Sequence, residues 1–210
     1  MTTSNSSEAL RIYHLPHGKL GMWLFLLMDG LSFVTILIGA AYLRTNGAPW
    51  PGAGEVLNVP LTAFNTIVLI VSSLTVMLAL QAVREGDQAR FKKNLLITLI
   101  LGTLFLGVQA YEYTHLIMGS EHLEMALANA GLTGSSVTPQ SSIYAACFYG
   151  ATGFHGLHVL AGLIFMLYII VQAFKGRWTA EEHGRVEYLA LYWHFVDLMW
   201  MFVFTVVYLI

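Results

Sequence analysis

The sequence predicts an all-α integral membrane protein, built as a bundle of five transmembrane helices. Among its 210 residues, 57% are hydrophobic and only 10% are charged, and the mean hydropathy is +0.66. Soluble domains carry about 25% charged residues, so this composition favours a bilayer over water. Five apolar windows each reach the ~20 residues that a helix needs to cross the hydrocarbon core. They cover residues 20–43, 61–83, 94–117, 142–174 and 189–210.

The first predicted helix follows a polar stretch, residues 1–19, that lacks the apolar core and cleavage site of a signal peptide. We interpret 1–19 as a retained tail and 20–210 as a single transmembrane domain. Asp29 lies nine residues into the helix, which at a rise of 1.5 Å per residue is ~14 Å, near mid-bilayer. An isolated carboxylate is costly at that depth. We therefore expect Asp29 to be either a neutral, hydrogen-bonded structural acid or a proton-responsive group.

The second predicted helix carries polar side chains that can bond to their own backbone or across to a neighbouring helix. They are Asn65, Thr66, Ser72, Ser73 and Thr75. In the third helix, Glu112 lies toward the outer end, where its side chain can extend to water. Tyr111 and Tyr113 flank it and are candidates for the interfacial aromatic belt. A short surface helix at 121–130, ended by Gly131, is predicted in the following connection.

The fourth predicted helix carries glycines at every third position, Gly150, Gly153 and Gly156. They form a ridge without side chains, against which another helix can pack closely. His155 and His158 lie in the same region. Because a polar ring in hydrocarbon is costly without a partner, we expect other protein to enclose this helix.

The fifth predicted helix places His194 and Asp197 at positions i and i+3, where their side chains are expected to hydrogen-bond. Glu187 closes the polar turn before this helix. Several ionisable groups fall between mid-membrane and the inner face, which predicts one shared buried network. These are Asp29, His155, His158, His194 and Asp197.

Basic residues set the predicted orientation. With five spans, Arg44 alone falls on one side. The other side holds Arg11, Lys19, Arg84, Arg90, Lys92, Lys93, Lys175, Arg177 and Arg185. The positive-inside rule makes the second side cytoplasmic, so the N-terminus is predicted inside and the C-terminus outside.

Three kinds of chemistry could involve these residues: haem ligation, copper binding and proton-coupled transport. Haem ligation needs two imidazoles on opposite sides of the iron, and only a His155/His194 pair offers that arrangement. A thiolate-bridged copper site needs two cysteines, whereas Cys147 is the single cysteine of the sequence and also excludes an internal disulfide. The favoured interpretation is that neighbours such as Asp197 or backbone carbonyls satisfy the histidines. No nucleic-acid partner is expected at a net charge of −2.

Proton-coupled transport is the third possibility, since intramembrane Asp29, Asp197 and the histidines resemble the parts of a proton relay. Transporters, however, are often built from internal repeats with interrupted helices in matching positions. The sequence shows neither feature convincingly. Five densely packed spans are more typical of a structural scaffold than of a transporter.

Two segments resemble a known family. FYGATGFHGLHV at 148–159 and YWHFVDLMW at 192–200 are similar to the signature segments of subunit III of haem–copper oxygen reductases, above all cytochrome c oxidase. Supporting matches occur in the same order along the chain. They are GMWLF at 21–25, NT at 65–66, SS at 72–73 and QAYEY at 109–113.

The resemblance implies a subunit that carries no redox cofactor and flanks the catalytic subunit I beside subunit II, with haem and copper in those partners. It also implies bound phospholipids, a role in proton uptake and turnover stability, and a multi-pass position in the bacterial inner membrane. The resemblance leaves open whether the subunit belongs to a larger respiratory assembly. The family's carbodiimide-reactive carboxylate falls on Asp29, where many members have glutamate. Longer members have two further helices before the first one here.

The prediction is therefore a non-redox subunit III of a proton-pumping terminal oxidase that passes electrons from cytochrome c to oxygen. A quinol oxidase and an independent proton-coupled transporter are the alternatives. No catalytic, cofactor or metal ligand is expected in this chain. The predicted structural and proton-related groups are Asp29, Glu112, His155, His158, Glu187, His194 and Asp197.

Overall fold

The computed structural model describes residues 17–209, which form seven α-helices and a final π-helical turn. In chain order these are α1 (His17–Thr45), α2 (Ala53–Val56), α3 (Val59–Arg84), α4 (Gln88–Met118), α5 (Glu121–Asn129), α6 (Ile143–Phe174), α7 (Gly184–Phe204) and the π-turn Thr205–Leu209. Within this described range, five helices are long and apolar enough to cross a membrane: α1, α3, α4, α6 and α7 with the π-turn. The all-α fold with five spans is confirmed.

The predicted windows match the observed helices to within a few residues. The largest offset is at the start of α4, predicted at residue 94 and observed at Gln88. Because α1 begins at His17, the last three residues of the predicted polar tail are helical. Residues 1–16 of that tail lie outside the described range. The predicted surface helix is present as α5, and Gly131 follows it with a φ of 76°.

Side-chain caps define where most helices begin. A helix leaves its first N–H groups without intrahelical partners, and a Ser, Asp or Asn side chain at the N-cap accepts one of them. Ser142 caps α6 by accepting from the N–H of Ala145, and Asp87 caps α4 by accepting from Arg90. The turn between α3 and α4 also depends on Gly86, whose φ of 79° is unfavourable for other residues. This short turn makes α3 and α4 an antiparallel hairpin.

The core of the bundle consists of α3, α4, α6 and α7, and α1 packs on its outside against α6 and α7. Only 22% of the apolar window of α1 is buried, against 56% for α3. Large apolar side chains of α1 therefore face outward, for example Leu27, Met28 and Ile38. A helix that is apolar on its outer face is stable in lipid and not in water.

The two ends of the bundle differ in charge. The basic end comprises residues 84–93 and 175–187 and holds most of the lysines and arginines. The acidic end comprises residues 46–58 and 119–142 and carries Glu55, Glu121 and Glu124 with no lysine or arginine. The helix α5 lies at the acidic end, where Leu123, Ala126 and Leu127 pack it onto the bundle.

The closest helix contacts occur at glycines other than the predicted ridge. A methyl group on Gly102 of α4 would lie 2.7 Å from the Trp193 ring, and one on Gly162 of α6 would lie 2.9 Å from it. Trp193, on α7, is therefore held between two backbones. On the predicted ridge, an added methyl would meet nothing within 4 Å at Gly150 among the described residues, and nothing closer than 3.7 Å at Gly153. The expectation of close internal packing along that ridge is wrong.

Candidate functional site

The predicted polar residues divide into separate sets, each with its own surroundings. Asp29 pairs with His158. A second set consists of His194 and Asp197, which lie beside Ser73. Glu112 and Glu187 each have partners of their own. His155 stands apart from all of them. The shared network expected from depth therefore does not form within residues 17–209. Depth along a helix axis does not specify which face a side chain occupies, and these groups occupy different faces.

Asp29 and His158 join α1 to α6 by a hydrogen bond. The Nε2 atom of His158 lies 3.1 Å from Oδ1 of Asp29, and its Nδ1 atom lies 2.7 Å from the carbonyl oxygen of Phe154. Both side chains are nearly buried, with 15% and 12% exposed. The rings of Phe33 and Phe154 lie against the imidazole. The pair therefore sits in an apolar environment, between the two helices.

The hydrogen bond to Phe154 fixes the position of one proton. A carbonyl oxygen can only accept, so Nδ1 of His158 must carry a hydrogen and donate it. One further proton is then shared between Nε2 and Oδ1 of Asp29. It resides on the carboxyl group in a neutral pair or on the imidazole in an ion pair. Both interpretations of Asp29, structural acid and proton-responsive group, are compatible with this geometry.

His194 and Asp197 lie on α7 and face α3. Nδ1 of His194 is 3.0 Å from the hydroxyl oxygen of Ser73, and Asp197 lies beside both side chains. The predicted hydrogen bond between His194 and Asp197 is absent among the described residues, where Oδ1 of Asp197 also lacks a partner. Ser73 of α3 is therefore the hydrogen-bond partner of His194, in place of Asp197, the partner that the i, i+3 spacing predicted.

His155 is fully buried within a layer of aromatic rings. Its ring centroid lies 4.8 Å from that of Trp200, 5.7 Å from Phe105 and 6.3 Å from Phe33. Neither ring nitrogen has a hydrogen-bond partner among residues 17–209. The expectation that neighbouring polar groups satisfy every buried imidazole is thus wrong for His155. In this layer the neighbouring helices supply rings, whose faces can accept only weak N–H contacts.

Glu112 is buried, so that of the two possibilities open for its side chain, burial and extension to water, the structure shows burial. Only 6% of the residue is exposed. The hydroxyls of Tyr208 and Thr62 donate to its carboxylate at 2.6 and 3.2 Å, so that Glu112 connects α4 to α3 and to the π-turn. Of the two flanking tyrosines, Tyr111 is exposed as an aromatic-belt residue should be. Tyr113 points inward and bonds to Thr152.

Glu187 is the centre of an ion-pair cluster at the basic end. Lys19 of α1 lies 3.3 Å from one carboxylate oxygen, and Arg84 at the end of α3 contacts the other. His183, one turn earlier in the chain, lies 3.3 Å from the same oxygen as Arg84. One glutamate of α7 thereby links three membrane-spanning helices near the interface.

The sequence reading missed most of the partners of these groups. Tyr208 and Thr62 were not connected with Glu112, nor Lys19, Arg84 and His183 with Glu187. Membrane topology contained a usable signal, because Lys19, Arg84 and Glu187 all fall at the same end of their predicted spans. Opposite charges at equal depth are expected to pair.

Within the described part of the chain, no cluster of three or more His, Cys, Asp or Glu side chains has a metal-binding arrangement. His155 packs on aromatic rings, and His194 bonds to Ser73.

Fold and site together define a multi-pass helical membrane protein in which several separate polar contacts connect neighbouring helices. Comparison with known proteins identifies its relatives. The sequence model of cytochrome c oxidase subunit III matches residues 14–210. The chain belongs to the cytochrome c oxidase subunit III family, and is thus a membrane subunit of the haem–copper oxidases.

Individual relatives include both electron-donor classes by name. The chain is 34% identical over 221 residues to "Cytochrome c oxidase subunit 3" of Synechocystis sp., covering all of this chain and 87% of the relative. It is 32% identical over 198 residues to the protein of the same name in Thermostichus vulcanus, covering 94% and 89%. It is 33% identical over 189 residues to "Cytochrome bo(3) ubiquinol oxidase subunit 3" of Pseudomonas aeruginosa, covering 90% and 83%.

Proposed function

We propose that this chain is a non-catalytic subunit of a proton-translocating cytochrome c oxidase, associated with a catalytic subunit I and a subunit II that hold the haem and copper. Family membership supports the oxidase, and the Asp29–His158 pair supports a role in handling protons. The two side chains are within hydrogen-bond distance of each other inside the bundle. Such a pair can move one proton between the carboxyl group and the imidazole without acquiring a net charge in hydrocarbon.

The remaining polar groups are proposed to fix the helices rather than to react. Glu112 connects α4 to α3 and the π-turn, and Glu187 connects α7 to α1 and α3. His194 connects α7 to α3 through Ser73. For the half-buried Asp197 on α7 and the fully buried His155 on α6, we propose the same packing role. A correctly packed subunit would then influence proton entry in the neighbouring catalytic subunit.

The orientation we propose places the basic end in the cytoplasm. The charge difference between the two ends supports this, because lysine and arginine are retained on the cytoplasmic side. The N-terminus would lie inside and the C-terminus outside. Tags at the two termini, tested for protease access in spheroplasts, check the assignment.

Phospholipid binding is proposed at the basic end, between α6 and α7. A surface pocket of about 620 Å³ there is lined by Arg177, Arg185, Tyr168 and Tyr188, and by one acidic residue, Glu182. Two guanidinium groups and phenolic hydroxyls at the level of the headgroups suit an anionic lipid phosphate. Native mass spectrometry of the complex should retain such a lipid, and the double variant Arg177→Gln/Arg185→Gln should lose it.

A quinol oxidase is the second candidate, because one relative carries that name at an identity of 33%, close to the 34% of a cytochrome c oxidase relative. The donor is determined elsewhere, in subunit II. A two-cysteine copper site in the co-purified subunit II would identify cytochrome c as the donor. An independent transporter is not favoured by the family, and would require activity of the chain alone in liposomes.

Purification and mutagenesis test the proposal together. A tagged chain extracted in mild detergent should co-purify with haem-bearing subunits, as seen in the optical spectrum. Asp29→Asn, which keeps a hydrogen-bond donor but cannot release a proton, and Asp197→Asn should assemble yet inactivate sooner during turnover and take up protons more slowly. Glu85→Gln, at an exposed carboxylate, is the matched control. Normal assembly with unchanged proton uptake and turnover lifetime in both Asp variants would contradict the functional role.

A further inference from the structure

A pocket at the acidic end of the bundle leads to the buried Glu112. It has a volume of about 340 Å³ and is lined by residues of α2, α3, α4 and α5. Four of its polar lining residues are exposed: Glu55, Asn58, His115 and His122. Glu112 also lines it, with 6% of the residue exposed. Water from the acidic end can therefore approach a carboxyl group that lies six residues, or ~9 Å, inside the end of α4.

Thr62 of α3 can serve Glu112 in either protonation state. Its hydroxyl oxygen lies 3.2 Å from Oε1 of Glu112 and 3.1 Å from the carbonyl oxygen of Asn58. A hydroxyl has one hydrogen to donate and lone pairs that accept. When Glu112 is ionised, Thr62 donates to Oε1. When Oε1 carries a proton, this proton is donated to the Thr62 oxygen, and Thr62 turns its own hydrogen to the carbonyl group of Asn58.

The other carboxyl oxygen of Glu112 keeps its partner in both states. The hydroxyl of Tyr208 lies 2.6 Å from Oε2 and can donate to it whether Oε2 belongs to a carboxylate or is the carbonyl oxygen of a neutral acid. Glu112 can thus gain a proton without losing its contacts to α3 and to the π-turn. Its proposed role in connecting these elements is preserved.

No fixed cation holds Glu112 in the ionised form within the described part of the chain. Lysine and arginine are absent from the residues that line the pocket and from those that hydrogen-bond to Glu112 there. A nearby opposite charge would favour the carboxylate, and burial favours the neutral acid. The titratable groups that face Glu112 are Tyr113, Tyr144, Tyr149 and Tyr208 inside the bundle, and Glu55, His115 and His122 along the pocket.

We propose that Glu112 is a proton-binding site that exchanges with the aqueous phase at the acidic end. A hydronium ion in the pocket transfers its proton to Oε1, an O–H bond forms there, and the remaining water molecule stays in the pocket. The carboxyl group becomes neutral, and the hydroxyl of Thr62 reverses its direction. In the orientation proposed above, this phase is the outer one. The site is separate from the Asp29–His158 pair.

Infrared difference spectroscopy of the purified protein, with the subunits that co-purify, tests the site. We expect a C=O band of a protonated carboxyl group that grows as the pH is lowered and is lost in Glu112→Gln. Glutamine keeps an acceptor for Tyr208 and a donor for Thr62, so this variant resembles the protonated state and should fold. Glu121→Gln, at an exposed carboxylate of the same end, is the control and should keep the band. A difference band that is missing at every pH, or that does not change with pH, would overturn the proposal.

A second variant tests the pocket as the route. Gly54 lines the pocket, and a methyl group added there would meet nothing within 4 Å among residues 17–209. Gly54→Trp should fill the pocket and slow the exchange of the Glu112 proton for deuterium several-fold after transfer to D2O. Gly21→Trp, at an equally open glycine at the start of α1, is the matched control and should exchange like the wild type. Equal exchange in both variants would show that protons do not enter through this pocket.

The partner of Oε2 gives an independent signature. A hydrogen bond to a carbonyl oxygen weakens the C=O bond, so Tyr208→Phe should move the Glu112 band to higher frequency. Tyr111→Phe, at an exposed tyrosine of the same helix, should leave it in place. An unshifted band in Tyr208→Phe would contradict the assignment of the neutral state.

This proposal and the proposed function fail in distinguishable ways. If the chain never co-purifies with haem, the proposed function is wrong, whereas the Glu112 band can still be measured in the chain itself. If haem co-purifies and no such band titrates, the function stands and Glu112 is a structural group alone.

Discussion

At the scale of single residues, glycine at two positions determines how closely the helices approach Trp193. Gly102 and Gly162 leave room for the indole, and Nε1 of Trp193 donates to the hydroxyl of Ser72 at 2.9 Å. The large ring thus fills the space between α4 and α6 while its polar atom is satisfied. Buried tryptophans usually require both conditions.

We predict that Gly102→Ala destabilises the protein, because the new methyl would lie within 3 Å of both Trp193 and Leu163. Overpacking of this kind typically costs about 1–3 kcal/mol. Gly107→Ala, on the same helix with nothing within 4 Å of the new methyl among the described residues, should be neutral or slightly stabilising. Thermal unfolding of both purified variants in detergent measures the difference. An equal midpoint for the two would show that the indole can move aside at no cost.

The same positions show the limit of sequence reasoning for individual residues. The regular spacing of Gly150, Gly153 and Gly156 predicts close helix packing at these three glycines. In the structure the close contacts with Trp193 occur at Gly102 and Gly162 instead. Spacing shows which residues share a face of one helix, but the neighbouring helix decides whether that face is covered. Trp193 also lies within the YWHFVDLMW segment, so its importance was visible while its partners were not.

At the scale of elements, the last helix ends in a π-turn that is connected to the buried Glu112. Tyr208 in this turn is 1% exposed and donates to the carboxylate across the bundle. A π-turn widens the helix locally and commonly accompanies a specific side-chain requirement. Its position here suits the reach of the Tyr208 hydroxyl to α4.

We predict that Tyr208→Phe loosens the end of α7. The substitution keeps the ring but removes the donor, which leaves a buried carboxylate under-satisfied at a cost of about 1–3 kcal/mol. Amide hydrogen exchange at Thr205–Leu209 should accelerate relative to the centre of α7. Tyr111→Phe, at a tyrosine that is 62% exposed on α4, is the control and should leave exchange unchanged. Unaltered protection in Tyr208→Phe would mean that ring packing alone holds the turn.

Elements were the most predictable level of this structure. Apolar windows of sufficient length predict each of the five spanning helices found within residues 17–209, because a bilayer leaves backbone groups no alternative to internal hydrogen bonds. The short α2 was not predicted, since four residues in a loop rich in Gly and Pro carry no periodicity. Partner choice was the unpredictable part. Glu112 accepts a hydrogen bond from Tyr208, which is 96 residues away in the sequence. A local sequence pattern cannot predict a contact between residues so far apart in the chain.

At the scale of the whole molecule, polar contacts connect the peripheral α1 to the core at two levels. The Asp29–His158 hydrogen bond lies at mid-depth, and the Lys19–Glu187 ion pair lies at the basic end. Apolar packing in lipid gains little from the hydrophobic effect, so specific polar contacts matter more for helix association there. We infer that the attachment of α1 to the core depends on both contacts.

The Glu187 cluster gives the last prediction, because one carboxylate is shared by α1, α3 and α7. Glu187→Gln should leave Lys19 and Arg84 without a counter-charge and separate α1 at its basic end. Partly exposed pairs each contribute only about 0.2–1 kcal/mol, but two cations on one acid, Lys19 and Arg84, act together. We expect a lower thermal midpoint in detergent and faster trypsin cleavage at Lys19. Raised salt should lower the wild-type midpoint toward that of the variant.

Glu85→Gln is the control and should change neither measurement. Among residues 17–209, the Glu85 carboxylate pairs only with the exposed Arg90, apart from its bond to Gln81. A salt-independent difference between Glu187→Gln and wild type would instead assign the effect to hydrogen-bond geometry rather than to charge.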